Sequence, residues 1–388
     1  VGSESLLSEI QPGVKIYRTP PGEPSISFLE KEKAFGQRNW LTKIIVKVFG
    51  GGRRWMFRNL FLPDRVITWL PFALRQGRKI VKNEGIDVLF ATCPPYSVAL
   101  IGALMKRLTG KPLILDYRDD WIDTPPFQSK PKLIRMIERR MESWTVKTAD
   151  RVTLVTEWSR QAFLDRYPLE PKDKFIFISN GCDLEEFSGL NSLTAAPKNQ
   201  KFTIVHTGSL NDSINWTRIP MALFQAVHHI LQSQPELTEK LSVNFTGFLP
   251  ERQKQLVTEL GLTGVVNELG FLPRDEWLKC MQEAGMLLVI NYDDWSTIIP
   301  GKIYEYWAVG GPPILLLSYP GAATDFVERH NLGFAFEPYD VDKIEQTILN
   351  IYRQSKTDSP LKIKTDGIEA FDRQALTNQL ARVLSTLI

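Results

Sequence analysis

The sequence predicts an α/β protein of two doubly wound domains, each a parallel sheet with helices on both faces. Three observations predict it. Short apolar runs alternate with helical patterns along almost the whole chain, as βαβ units do. The length of 388 residues exceeds what one ordinary core holds. A polar stretch, "GLNSLTAAPKNQ" from Gly189, separates two series of such units.

The elements follow in order. "VKIYRT" (14–19) is the first strand-like segment. A doubly wound domain has its first strand at the sheet centre, and the turn after it often carries a glycine-rich phosphate loop. Neither precedes Val14, so an N-terminal βαβ unit is expected to be missing from the chain. "IDVLFA" (86–91) reads as a buried strand and "SVALIGALMKRL" (97–108) as a helix with Ser97 at its N-cap. "PLILD" (112–116) is the next strand, followed by a long helix over 131–148, "VTLVT" (152–156), a helix near 158–167 and "FIFIS" (175–179).

The second series opens with "FTIVHTG" (202–208), a helix over 216–232 and "LSVNFTG" (241–247). A helix over 251–260, "VVNELG" (265–270), a helix over 274–284 and "MLLVI" (286–290) come next. A helix from Gly301 and "PILLLS" (313–318) complete it. "FDRQALTNQLARVLSTLI" (371–388) is amphipathic, with Leu376, Leu380, Val383 and Leu387 on one side. The expected domains are 1–195 and 196–365, with a terminal helix in 366–388 returning to the first.

Composition narrows the function classes. Apolar content of 43% and charge of 23% are those of a globular protein. The longest apolar runs fall far short of the roughly 18–20 residues a membrane span needs. Cys93, Cys182 and Cys280 are widely spaced, which suits a reducing compartment and lacks the close pairing of a zinc site. The net charge of +3 is uneven. From Arg38 to Lys82 there are eleven Lys or Arg and one acid, Asp64, with seven aromatics interleaved. Such a segment suits an anionic partner (a phospholipid surface, a pyrophosphate-linked substrate or nucleic acid), and equally a solvated helical face.

Four stretches carry candidate chemistry. In "LILDYRDDWIDTPP" (113–126), Asp116 ends a buried strand, so Arg118 and Asp119 fall at the sheet edge where ligands bind. A metal site needs several convergent oxygens, and the adjacent Asp119 and Asp120 chelate one ion poorly. An Asp–Arg pair fixing the loop and direct substrate contact both stay open. "ATCPPYS" (91–97) puts Pro95, Tyr96 and Ser97 at a helix N-terminus, which attracts anions and hydroxyl-bearing ligands; plain capping by Ser97 is the alternative. "SNGCDLEEF" (179–187) makes a tight turn at Asn180-Gly181, and Asp183 and Glu186 have capping-box spacing. In "STIIPGKIYEYWAVGGPPILLL" (296–317), Pro300 and Gly301 open a helix whose Lys302 and Glu305 share a face at i,i+3. Helix dipole and ammonium together suit a diphosphate, and the carboxylate suits ribose hydroxyls. A Lys–Glu surface pair is the alternative.

These stretches, with "ADRVTLVTEWSRQAFLDRYP", "FTIVHTGSL", "LGFLPRDEWLKCMQEAGMLLVI" and "LGFAFEPYDVDKI", run in an order that resembles group 1, family 4 glycosyltransferases of the GT-B fold. The likeness is greatest to the bacterial enzymes of exopolysaccharide, O-antigen and capsule synthesis. It implies two Rossmann-like domains facing across a cleft, acceptor on the first and nucleotide-sugar on the second, with retention of configuration and no metal or other cofactor. It places donor contacts at Gly208, Ser209, Arg218, Phe271, Leu272, Thr297, Pro300, Gly301, Lys302 and Glu305. It places acceptor contacts at Pro95, Tyr96, Ser97 and Asp116, and catalytic roles at Lys302, Arg118 and Asp119. The sequence departs from the family at Thr297, where many relatives carry Glu, and in having no His within 109–127. The implied partners are a nucleotide-sugar, a lipid-linked or saccharide acceptor and an anionic membrane at the cytoplasmic face, without nucleic acid. A nucleotide-sugar 2-epimerase and a non-catalytic binding scaffold of the same fold are the other readings.

Overall fold

The computed structural model describes residues 10, 13–20, 61–122, 124–192, 201–210, 212–213, 216–217, 220–291, 296–357 and 359–388. Arg218, Asp123 and the first half of the basic segment lie outside them. The chain divides into two compact units, Val1–Leu115 with Arg140–Ala149, and Asp116–Arg139 with Asp150–Ile388.

In the first unit, α1 (Leu70–Asn83) starts with a proline in its first turn, where a missing N–H is harmless. Its inner side packs Ala73 and the flanking Leu70, Leu74 and Val81 against Ile101 and Met105. Its outer side leaves Phe72, Arg75, Arg78, Lys79 and Lys82 exposed. β1 (Leu89–Cys93) sits under α2 (Ser97–Thr109), where a Cβ on Gly102 would come 2.9 Å from the Ala91 methyl. Glycine is therefore what lets this helix seat on its strand.

Two expectations are corrected here. Residues 14–19 form no strand: Val14 and Ile16 are 60% and 52% exposed, so their alternation buries nothing. The segment is held instead by Lys15 and Tyr17 on the Glu84 carboxylate. Ser97 is not the N-cap of α2, which is Tyr96. The Ser97 N–H and hydroxyl donate to the Asp64 carboxylate at 2.9 and 2.6 Å. The one acid of the basic segment thus supplies the negative charge that a helix N-terminus favours.

β2 (Leu113–Tyr117), buried throughout, carries the chain into the second unit at Asp116. With β3 (Arg151–Leu154) and β4 (Phe175–Phe177) it completes a four-stranded sheet in the order β1-β2-β3-β4. α3 (Lys132–Thr148) precedes β3, and α4 (Glu157–Arg166) follows it, capped by the Thr156 hydroxyl on the Ser159 N–H. Asp183 accepts the Glu185 N–H, but Glu186 does not close the capping box. Its carboxylate binds Arg274 at 3.0 Å instead.

The larger sheet of this unit is parallel and six-stranded. Its strands are β5 (Phe202–Thr207), β6 (Leu241–Thr246), β7 (Val266–Glu268), β8 (Met286–Ile290), β9 (Ile314–Leu317) and β10 (Gly333–Phe336). They lie in the order β10-β9-β8-β5-β6-β7. Buried on both faces, β8 and β9 read as unbroken apolar runs because neither side meets water. α5 (Met221–Ser233) begins five residues later than the sequence pattern predicts, since Pro220 fits at a helix start and not inside it. The helices α6 (Glu251–Glu259), α7 (Arg274–Gln282), α8 (Lys302–Val309), α9 (Ala322–Arg329) and α10 (Val341–Gln354) alternate with the strands.

α11 (Arg373–Ser385) ends the chain, with Leu376, Leu380, Val383 and Leu387 half-buried as their spacing predicts. The segment before it docks on residues 181–184. Cys182 N–H donates to the Phe371 carbonyl at 3.2 Å, and Arg373 N–H donates to the Cys182 carbonyl at 3.0 Å. Among the described residues no helix is long and apolar enough to cross a membrane.

Candidate functional site

In the six-stranded sheet the chain runs outward from β5 in one direction and then restarts at β8 on the other side. The carboxyl ends of β5 and β8 therefore flank the switch point, where open α/β sheets bind ligands. β5 is followed by Gly208 at φ 84°, a left-handed turn that suits glycine. A Cβ on Gly247 would lie 2.4 Å from the Gly208 carbonyl carbon, so the loops after β5 and β6 meet backbone to backbone. Ser209 ties them further, its hydroxyl accepting the Phe248 N–H at 3.0 Å.

Helix α8 is fixed over this point by two buried tyrosines. The Tyr306 hydroxyl accepts the Thr207 N–H at 3.0 Å and donates to the Leu288 carbonyl at 3.3 Å, joining the helix to β5 and β8 together. The Tyr304 hydroxyl pairs with that of Ser179 at 2.8 Å. Burial pushes both phenols well above their ordinary range, so both stay neutral. Ile303 and Trp307 fill the core beneath.

Lys302 and Glu305 stand on the other side of this helix. The Lys302 ammonium donates to the Thr207 carbonyl at 2.5 Å and to His206 Nε2 at 3.2 Å. His206 is fully buried, and its Nδ1–H donates to the Leu288 carbonyl at 3.0 Å. That bond fixes the tautomer and leaves Nε2 as the acceptor. A Cβ on Gly208 would lie 3.9 Å from Lys302 Nζ, so the ammonium borders the glycine turn. Half-buried Glu305 makes no side-chain hydrogen bond or ion pair among the described residues. Burial pushes its carboxyl above the ordinary glutamate value; Lys302 opposes the shift, Glu186 adds to it, and Arg373 and Arg274 oppose it further. A charged group left this way in a protein normally meets a partner from outside.

The other predicted donor residues fall in three places. Pro300 and Gly301 immediately precede α8, Gly301 as its N-cap, and their carbonyls accept the Ile303 and Tyr304 N–H groups. Phe271 is 71% exposed, with Leu272 beside it half-buried. The Phe271 ring stands edge to face on Phe248 at 5.1 Å. Thr297 is not aimed at Lys302. Its carbonyl accepts the Thr156 hydroxyl at 2.5 Å, and its side chain is close enough to Asp120 to favour the charged carboxylate.

The acidic stretch resolves into separate roles. Asp116 is buried, accepting Arg118 Nε at 2.9 Å on one oxygen and the Thr153 hydroxyl at 2.7 Å on the other. It holds Arg118, whose Nη1 donates to the Asn180 side chain at 3.1 Å. Each Asp116 oxygen thus has a partner inside the protein and keeps a further lone pair, so Asp116 is first of all the anchor of Arg118. Asp119 is half-buried, and burial and the neighbouring Asp120 push its carboxyl upward. Asp120 is buried against the Ser159 hydroxyl; its carboxyl is raised by burial and pulled back by Ser159, Thr297 and Arg166. In the first unit, Pro95 and Tyr96 are half-exposed and Ser97 is buried on Asp64.

Among the described residues one trio has metal-ligand spacing: His229, Asp342 and Glu345, on α5 and α10. It includes no residue of the α8 site. Sequence reasoning missed His206, Tyr306 and Thr156. The only signal for His206 was a polar residue inside the apolar run of β5.

Residues 46–186 match the family described as Glycosyltransferase Family 4. No curated protein matches the chain. The chain is similar in structure to sucrose-phosphate synthase from Thermosynechococcus elongatus, with a TM-score of 0.60 at 14% identity over 83% of this chain and 79% of that one. It is similar to Anabaena Alr3699/HepE in complex with UDP, with a TM-score of 0.57 at 17% identity over 81% and 82%. It is also similar to an alpha,alpha-trehalose-phosphate synthase (UDP-forming) from Burkholderia vietnamiensis, with a TM-score of 0.60 at 11% identity over 84% and 78%. The fold is that of GT-B glycosyltransferases, with parallel Rossmann-like sheets.

Proposed function

We propose that the chain moves a sugar from a nucleotide-sugar to a saccharide acceptor carried on a lipid diphosphate, in cell-surface polysaccharide synthesis. The observation that carries this reading is Glu305, half-buried without a side-chain partner among the described residues and one helical turn from the Lys302 ammonium at the switch point. Lys302 and the N-terminal N–H groups of α8 would hold the nucleotide diphosphate, Glu305 the ribose hydroxyls, and Phe271 the base side. The match of 46–186 to Glycosyltransferase Family 4 and the likeness to a UDP-bound structure support the same reading.

The chemistry would be electrostatic. Charge grows on the diphosphate as the sugar leaves, so Lys302 acts most strongly in the transition state. In a retaining reaction the departing phosphate oxygen takes the acceptor proton, and no side-chain nucleophile is required. Arg118 and Asp119, on the loop after β2, would orient the acceptor. The exposed basic side of α1 would hold the enzyme at an anionic membrane on the cytoplasmic face.

Calorimetry with UDP, GDP, ADP and dTDP tests the donor half. One of them binds wild type, and Glu305→Ala weakens that binding by about 1.5–3 kcal/mol, the range for a hydrogen bond to a charged group. Lys302→Ala lowers turnover more than affinity. Equal affinity in folded Glu305→Ala would place the donor elsewhere. One observation favours a binding scaffold: Thr297, where a sugar-facing Glu is common in the family, offers no carboxylate, and its carbonyl is held by Thr156. Nucleotide binding without turnover of any nucleotide-sugar selects that reading.

A further inference from the structure

A cavity of about 1180 Å³ opens in the second unit, between α4, the end of α9, the loop after β2 and the segment preceding α8. None of Gly208, Lys302 or Glu305 lines it, and Thr297 forms part of its wall. Its lining is chemically distinctive. Two carboxylates, Glu157 and Asp165, and two guanidiniums, Arg166 and Arg329, line it, with Glu157 held by Arg160 Nε at 2.8 and 2.9 Å. Gln161 adds a carboxamide, with Nε2 donating to Asp165 at 2.8 Å and the carbonyl oxygen and second N–H in hand. The large apolar member is Trp158, 42% exposed. Its Nε1–H donates to Asp325 on α9 at 2.8 Å. The only polar atom of the indole is thereby satisfied, and what the ring offers is a held, flat π face.

We propose that this cavity binds an oligosaccharide. The proposal rests on the reading of the chain as a sugar transferase and assigns the cavity to units of the saccharide acceptor remote from the reacting end. Each lining feature selects for this class. An apolar ligand would strip water from the exposed Glu157, Gln161, Asp165 and Arg329 and give them nothing in return. A diphosphate would meet two carboxylates along with the two arginines. A neutral polyhydroxylated chain gives and takes hydrogen bonds with both kinds of group. Its C–H face, slightly positive, lies on the negative face of an indole. Small-ligand pockets run to roughly 1000 Å³, so the space accommodates several sugar units. Thr297 lies in the segment that leads into α8, so a chain lying along α4 ends near the helix that carries Lys302.

The test uses the full chain and four probes: maltotetraose, cellotetraose, chitotetraose and UDP. Saturation-transfer NMR is expected to show at least one tetrasaccharide bound to wild type. Trp158→Ala should weaken it tenfold or more, and exposed Arg329→Ala, which leaves the packing intact, threefold or more. UDP affinity should be the same in all three proteins. Absence of binding by every tetrasaccharide, or binding that survives both substitutions, overturns the proposal. If UDP binds and the sugars do not, this inference alone fails. If a tetrasaccharide binds through Trp158 and no nucleotide binds, the donor reading fails and the saccharide site stands.

Discussion

The Thr156 hydroxyl donates to the Thr297 carbonyl at 2.5 Å and accepts the Ser159 N–H at 3.0 Å. One side chain thus caps α4 and fixes the segment that leads into the Lys302 helix. Both bonds are buried, so removing the hydroxyl leaves a donor and an acceptor unpaired. Thr156→Val is expected to cost about 1–3 kcal/mol, the penalty for such groups. Thr156→Ser should keep most of it. Urea unfolding of the three proteins checks this, and equal midpoints for Val and wild type would deny the bond its role.

His206 is expected to act through Lys302. His206→Phe removes the acceptor at Nε2 and the donor to Leu288, taking away one of the groups that aim the ammonium while the Thr207 carbonyl still holds it. Nucleotide affinity should fall by about 1 kcal/mol, near fivefold, the size of one hydrogen bond. His206→Gln restores an acceptor at the distance of Nε2 and should recover most of the loss. Calorimetry with the cognate nucleotide decides it. Equal affinity for Phe and Gln variants would leave His206 as packing only.

The exposed side of α1 gives a third expectation. Arg75→Glu, Arg78→Glu and Lys79→Glu together reverse three exposed charges without touching Ala73. Wild type should sediment with vesicles containing anionic lipid at low salt and be released by high salt. The triple variant should stay in solution. Equal sedimentation of wild type on neutral vesicles would remove the electrostatic basis.

How much of this was legible in the sequence depends on whether the signal was local. β8 and β9 were plain because a strand buried on both faces must be apolar along its length. Lys302 and Glu305 were plain because i,i+3 spacing puts them on one helix face. The roles of Asp64 and Thr156 were not, since the groups they serve lie 33 and 141 residues away. α1 was legible only as charge and aromatics, because its buried stripe is narrow. The strand expected at 14–19 had the right alternation, but alternation says nothing about whether a neighbour exists to bury one side.

Glu305 yields the last prediction, on stability. Its carboxyl is raised by burial, and it makes no hydrogen bond or ion pair within the described chain. The folded protein without ligand therefore carries a partly buried charge that the nearby Lys302, Arg373 and Arg274 offset only in part. Glu305→Gln removes that charge at nearly the same shape. It should stabilise the free protein at pH 7 by about 0.5–2 kcal/mol, the range of single stabilising substitutions. The sign of the pH dependence follows from the raised value. Above it, the glutamate is ionised in folded and unfolded chains alike, and the folded chain bears the full penalty. As the pH falls through the raised value, the folded chain takes up the proton first and the penalty shrinks. Below the ordinary glutamate value both states are neutral, and the advantage of Gln should vanish. Nucleotide should reverse the order at pH 7, since bound ribose gives the carboxylate its partner and stabilises wild type more than the variant. Thermal unfolding of both proteins between pH 4 and 8, with and without the cognate nucleotide, measures each arm. A Glu305→Gln protein no more stable than wild type at pH 7 would mean the carboxylate already has its partner within the chain.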